Sequence, residues 1–145
     1  MTKGLNSAWW VLRIGLGLGP FLAGLDKFFN ILTNWEMYLS PLAIKVLPVS
    51  APVFMHAVGV VEMAVGLAIL AGYARVGGYV AGVWLLAIAV NLATTGMFWD
   101  VAVRDVEIAL GAYALARLSE ARQAAAAGRL TASGRVSLPG QTRAA

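Results

Sequence analysis

The chain has 145 residues, of which 60% are hydrophobic and 12% charged, with no cysteine, a single histidine and a net charge of +4. A mean hydropathy of +0.77 excludes an ordinary soluble domain, because so few polar residues cannot cover long apolar runs. Without cysteine there is no thiol relay, iron–sulfur ligation or cysteine-ligated zinc, and His56 alone cannot supply a two-histidine haem, so no haem, iron–sulfur or zinc site is expected from this chain alone.

Taken from the N-terminus, four runs are long enough to span a hydrocarbon core, which needs about 20 helical residues at about 1.5 Å each. They fall at about 8–30, 52–71, 76–98 and 101–118. They predict an all-α fold, an integral membrane four-helix bundle over 1–118 followed by a basic, partly disordered tail over 119–145. The first run is broken by Arg13, continues through Asp26 and Lys27, and no A-x-A cleavage pattern follows it. It therefore reads as a retained helix rather than a removed signal peptide. Along it Arg13, Gly17, Pro20, Gly24 and Lys27 form one helical seam, whose glycines allow close backbone approach. The stretch from Asn30 to Ala51, with Trp35, Tyr38, Pro41 and Pro48, reads as an amphipathic connection at the membrane interface, where Trp and Tyr favour the headgroup level.

The second run, PVFMHAVGVVEMAVGLAILA, carries one full charge, Glu62, near its centre. A carboxylate there costs roughly 2.5–3.5 kcal/mol on insertion scales, and it is too deep to snorkel to either surface. Gly59, Glu62 and Gly66 share a face, which points the carboxylate into a helix contact. The short link Gly72-Tyr73-Ala74-Arg75 makes the second and third runs antiparallel neighbours. A second tight turn, Met97 to Asp100, leads into the fourth run, with Asp100 expected at its N-cap and Arg104, Asp105 and Glu107 in its first turns. That helix is expected to continue through SEARQAAAAG, and from Ser133 onward the chain reads as disordered.

Lys3, Arg75 and the arginines from Arg117 to Arg143 all fall on one side of this arrangement, which puts both termini in the cytoplasm. Anionic lipid headgroups account for this basic side at about 1 kcal/mol per residue near the surface. No nucleic-acid partner is expected, because no aromatic residue follows Arg117. Counting about 1.5 Å per residue, Glu62 lies about 15 Å below the outer end of its helix, Asn91 about 10 Å and Arg104 about 6 Å. Arg13 enters from the opposite side by about 8 Å and is expected to climb toward Glu62 as its counter-charge. Lys27, Asp26, His56 and Asp105 crowd the outer end. These groups read either as pins between helices or as a site that binds a polar head or relays protons.

The segments LRIGLGLGPFLAGLDKF, VVEMAVGLAILAGYAR and VRDVEIALGAYALA together resemble the DoxX family of small bacterial four-helix membrane proteins. The resemblance covers about residues 8–118 and rests on Arg13, Gly24 and Lys27, then Glu62, Gly66 and Gly72, then Arg104, Asp105 and Gly111. Arg104-Asp105 stands where Lys-Asn is common in such proteins. Similarity to this family implies a multi-pass protein of the bacterial cytoplasmic (inner) membrane. It also implies a membrane subunit of a quinone-linked oxidoreductase, working with a redox partner subunit or as a homo-oligomer. On this reading Glu62 and Arg13 form the catalytic pair, Glu62 exchanging the proton that accompanies quinone reduction. Asn91, Arg104, Asp105, Lys27 and His56 line the quinone. The thiol relay of related members is excluded by the lack of cysteine. A non-catalytic membrane anchor or assembly subunit is the alternative, and a small transporter or proton pathway the third. Whether the chain is itself an enzyme stays open at this stage.

Overall fold

The Thr2 side chain accepts the backbone N–H of Leu5 and starts α1, Lys3–Asp26. In the computed structural model, which describes residues 2–136, there follow α2 Pro41–Val46, α3 Ala51–Ala71, α4 Ala74–Thr94 and α5 Trp99–Val136, with a 3-10 turn at Trp35–Tyr38. No strand occurs among the described residues. The described chain is all-α, and α1, α3 and α4 are each long and apolar enough to cross a membrane.

The helix boundaries differ from expectation at the ends of α1 and α4 and at the start of α5. Helix α4 closes at Thr94 rather than 98, where Gly96 and Phe98 take positive φ of 72° and 55°. The first helix begins at Lys3 and ends at Asp26, not at 8 and 30. The Asp26 carboxylate turns back to accept the N–H groups of Ile31 at 3.0 Å and Leu32 at 3.1 Å, and Asn30 takes a positive φ of 52°. The last helix begins at Trp99, so Asp100 stands in the first turn rather than at the N-cap, still beside the positive end of the helix. It runs unbroken for 38 residues, about 57 Å. The helix is described as far as Val136, into the first residues of the stretch expected to be disordered. The remainder of that expected disordered stretch, 137–145, lies outside the described residues.

Two antiparallel pairs make the structure, α1 with α3 and α4 with α5, and the contacts between the pairs are sparser. In the first pair Gly17 meets Gly66 and Gly24 meets Gly59. A Cβ added to Gly66 or Gly59 would stand 2.5 Å from the carbonyl oxygen of Gly17 or Gly24. In the second pair a Cβ on Gly78 would stand 2.8 Å from the Ala112 carbonyl oxygen. Small residues such as Ala81, Ala109, Ala112 and Ala116 are buried, whereas Val11, Leu22, Val60, Val83 and Leu110 face outward. This distribution suits a lipid environment. Hydrocarbon is as apolar as leucine, so burying large aliphatic groups gains little, and close backbone approach supplies the packing instead.

The connection between α1 and α3 folds back over one end of the helices, here called the connector end. Asn91 of α4 fixes it there, accepting the Ser40 N–H at 3.1 Å and donating to the Tyr38 carbonyl at 2.7 Å. Tyr38 packs edge-on against Phe98, with ring centroids 4.8 Å apart.

Candidate functional site

Beneath that connection lies a buried polar set assembled from all four long helices. Lys27, the C-cap of α1, donates from Nζ to Glu62 Oε2 of α3 at 2.6 Å. The two side chains are 4% and 9% exposed, so the pair is withdrawn from solvent. The Trp35 ring covers the ammonium, its centroid 3.7 Å from Nζ. A desolvated cation–π contact of this kind contributes about 2 kcal/mol. Trp35 is itself held by its indole N–H, which donates to Asp26 Oδ2 at 2.8 Å. Asp26 thus accepts from three neutral donors, two backbone N–H groups and one indole, and takes no part in the ion pair.

Asp105 of α5 is also buried and close enough to Lys27 and Glu62 to interact electrostatically with both. Its nearest cation is Arg104 Nη2 at 3.4 Å, on a side chain 62% exposed. Trp84, near the middle of α4, completes the set. Its indole N–H is buried beside the Glu62 carboxyl, near enough for a long contact with it but with no acceptor at ordinary hydrogen-bond distance. One ammonium and one carboxylate are therefore paired in the interior, with a second buried carboxyl and an indole N–H in the same region. Such a set holds proton-carrying groups beside a fixed positive charge.

Arg13 is not the counter-charge of Glu62; Lys27 is. Arg13 donates from Nε to the Ile69 carbonyl at 3.0 Å and from Nη2 to the Leu70 carbonyl, at the C-terminus of α3. That end is closed by Gly72 at φ 117°, with Gly72 N bonded to Ile69 O and Tyr73 N to Ala68 O. Arg13 adds a second donor to the Ile69 carbonyl, supplies one to the Leu70 carbonyl, and places a positive charge at the negative end of the helix. The reason is directional. Side chains on a helix lean toward its N-terminus. The glycine pairs put residue 21 level with Glu62. Arg13 sits about 12 Å from that level and leans away from it, whereas Lys27 sits about 9 Å from it on the other side and leans toward it.

The other expected site residues divide in the same way. Glu62, Lys27 and Asp105 are brought together. His56 is exposed and stacks on Phe28, ring centroids 4.7 Å apart at 4°. Asn91 holds the connector, and Arg104 is exposed. Trp35 and Trp84 were not among the expected site residues. A tryptophan at mid-span, away from the interfacial level that tryptophan favours, is the signal that marks Trp84. Nothing in the sequence distinguishes Trp35 as a cover from Trp35 as an interfacial anchor.

Two cavities lie elsewhere. One of about 240 Å³ is apolar and runs between α4 and α5, lined by Gly78, Gly82, Leu86 and Tyr113. The other, of about 340 Å³, lies at the opposite end from the connector and is lined by Trp9, Arg13, Ser119 and Arg122. Neither touches Lys27 or Glu62. Compared with known proteins, the chain matches no family model, no curated protein and no solved structure.

Proposed function

We propose that this is a DoxX-like integral membrane protein that binds the polar head of a quinone, or of a similar small carbonyl compound, at Lys27, Glu62, Asp105 and Trp84. In this reading it serves as the membrane subunit of a quinone-linked oxidoreductase in the bacterial inner membrane. The first half of α5, packed along α4, is the fourth span. Four spans place Lys3 and the arginines beyond Arg117 together, on the cytoplasmic side.

One observation carries the proposal: the buried Trp84 indole N–H, with no acceptor at ordinary hydrogen-bond distance, lies beside the Lys27–Glu62 ion pair, and Asp105 is buried in the same region. Trp84 and Lys27 supply donors for a carbonyl oxygen, and Glu62 and Asp105 supply proton-carrying groups within the same enclosure. A quinone bound there would take up two electrons and two protons on reduction, the electrons coming from a redox partner. Displacement of Trp35 admits the ligand, and its return excludes water and restores the cover over Lys27.

The test is the affinity of the purified chain for decylubiquinone. Glu62→Gln and Trp84→Phe are each expected to weaken binding about tenfold or more, the loss of one hydrogen bond at a charged site. The alternative, a non-catalytic anchor or assembly subunit, draws on the completeness of the Lys27–Glu62 pair under Trp35. In that case both substitutions lower stability and leave quinone affinity unchanged.

A further inference from the structure

We infer that the cavity at the end of the helices away from the connector is a binding site for a phosphate ester. Its polar lining consists of Arg13, Ser119, Arg122 and Gln123, around Trp9. At about 340 Å³ it falls within the range of small-ligand sites, about 300–1,000 Å³.

Trp9 organises the site. Its indole N–H donates to Ser119 Oγ at 2.7 Å, and that hydroxyl donates to the Leu115 carbonyl at 2.8 Å, so the ring is locked between α1 and α5. Both guanidinium groups lie over this one ring, Arg13 at 4.9 Å and Arg122 at 4.3 Å from its centroid. Among the described residues neither arginine has a carboxylate within ion-pair distance. Glu120, the acid nearest in sequence to Arg122, is engaged by Arg117 at 2.7 Å and by Tyr79 at 3.0 Å.

The protein contacts of the two arginines are neutral and incomplete. Arg13 uses Nε and Nη2 on the end of α3, which leaves its Nη1 edge. Arg122 uses Nη1 on Asn6 Oδ1, which leaves Nη2 and Nε. The Gln123 oxygen takes the long 3.4 Å contact from Arg75, leaving its amide NH₂. The Ser119 hydroxyl is already both donor and acceptor. What remains on the cavity lining is a set of donors on two like charges set over one tryptophan ring, with no carboxylate within ion-pair distance among the described residues. Two planar guanidinium forks match phosphate oxygens in geometry and in charge. The ligand is either the headgroup of an anionic phospholipid or a soluble phosphate ester. This inference does not rest on the reading of the Lys27–Glu62 site.

The experiment uses the full chain purified in a zwitterionic detergent. Its thermal midpoint is followed while phosphatidylglycerol in one arm, and inorganic phosphate in the other, is titrated in. A saturable rise in the lipid arm alone identifies a headgroup, and a rise in the phosphate arm identifies a soluble ligand. Arg122→Gln is expected to weaken the apparent Kd about tenfold or more. Arg13→Lys, which keeps the charge and loses the fork, is expected to weaken it as well. Lys45→Gln, at the connector end, leaves it unchanged. The inference is overturned if neither probe gives a saturable rise, if both arginine variants bind as the parent does, or if Lys45→Gln weakens binding equally.

Discussion

The two ends of this protein handle charge in opposite ways. At the connector end an ammonium and a carboxylate are buried in contact, a second carboxyl lies close by, and a tryptophan covers them. At the other end two guanidinium groups share a tryptophan ring, bond only to neutral oxygens and line an open cavity. Lysine serves the first and arginine the second, in keeping with their chemistry. A compact ammonium fits a closed pocket under an aromatic face, whereas a guanidinium can satisfy helix-end carbonyls and still present an unused edge. A charge sealed inside the helices must be matched within the chain, and one at their end can be matched from outside.

Substitutions at Lys27, Asn91, Arg122 and Gly15 test this contrast, from the largest expected effect to the smallest, with Gly24→Leu as the opposing control. Lys27→Met strands Glu62 in a buried site and is expected to destabilise by about 3–5 kcal/mol, measured by reversible unfolding in detergent. The double variant Lys27→Met/Glu62→Met is expected to recover most of that loss, and failure to recover would mean the pair is not a mutual charge partnership. Asn91→Leu removes both hydrogen bonds that hold the connector and is expected to cost about 1–3 kcal/mol. It should also speed amide exchange across residues 31–40 without altering the cavity at the far end, and unchanged exchange would show that Asn91 does not fix the connector.

At that far end, Arg122→Gln is expected to cost the ligand-free chain about 1–2 kcal/mol, one cation–π contact and one hydrogen bond to a neutral amide. A large loss of stability would show instead that Arg122 is a structural pin. The smallest effect is expected at Gly15, where an added Cβ meets nothing within 4 Å. Gly15→Ala is expected to shift stability by no more than about 1 kcal/mol, in the stabilising direction. Gly24→Leu, whose Cβ would collide with the Gly59 carbonyl, serves as its opposite and is expected to abolish the α1–α3 pairing.

Much of the architecture was legible before any coordinates. Continuous apolar runs reveal long helices, and the link at Gly72 marks a tight turn between antiparallel neighbours. The seam Gly17–Gly24–Lys27 and the face Gly59–Glu62–Gly66 both proved to line the α1–α3 contact. Periodicity along one helix was sufficient for that. The partner of Glu62 was not legible in the same way. Counting rise per residue ranks Arg13 and Lys27 as similar candidates, and only the lean of each side chain toward its helix N-terminus separates them. Likewise Asn91 reads as a ligand contact or as a helix-to-helix bond until the position of the connector is known.

Composition and periodicity alone determined that the chain is helical, largely apolar outside and closely packed through glycine and alanine, because these properties follow from residue type and spacing along single elements. Which charge meets which was decided only by tertiary structure. The register of α1 against α3 brings Lys27 onto Glu62 and sends Arg13 to the end of α3 beside Arg122. Such pairings depend on distances of a few ångströms between elements remote in sequence, and ion pairs and hydrogen bonds fall away over that same distance.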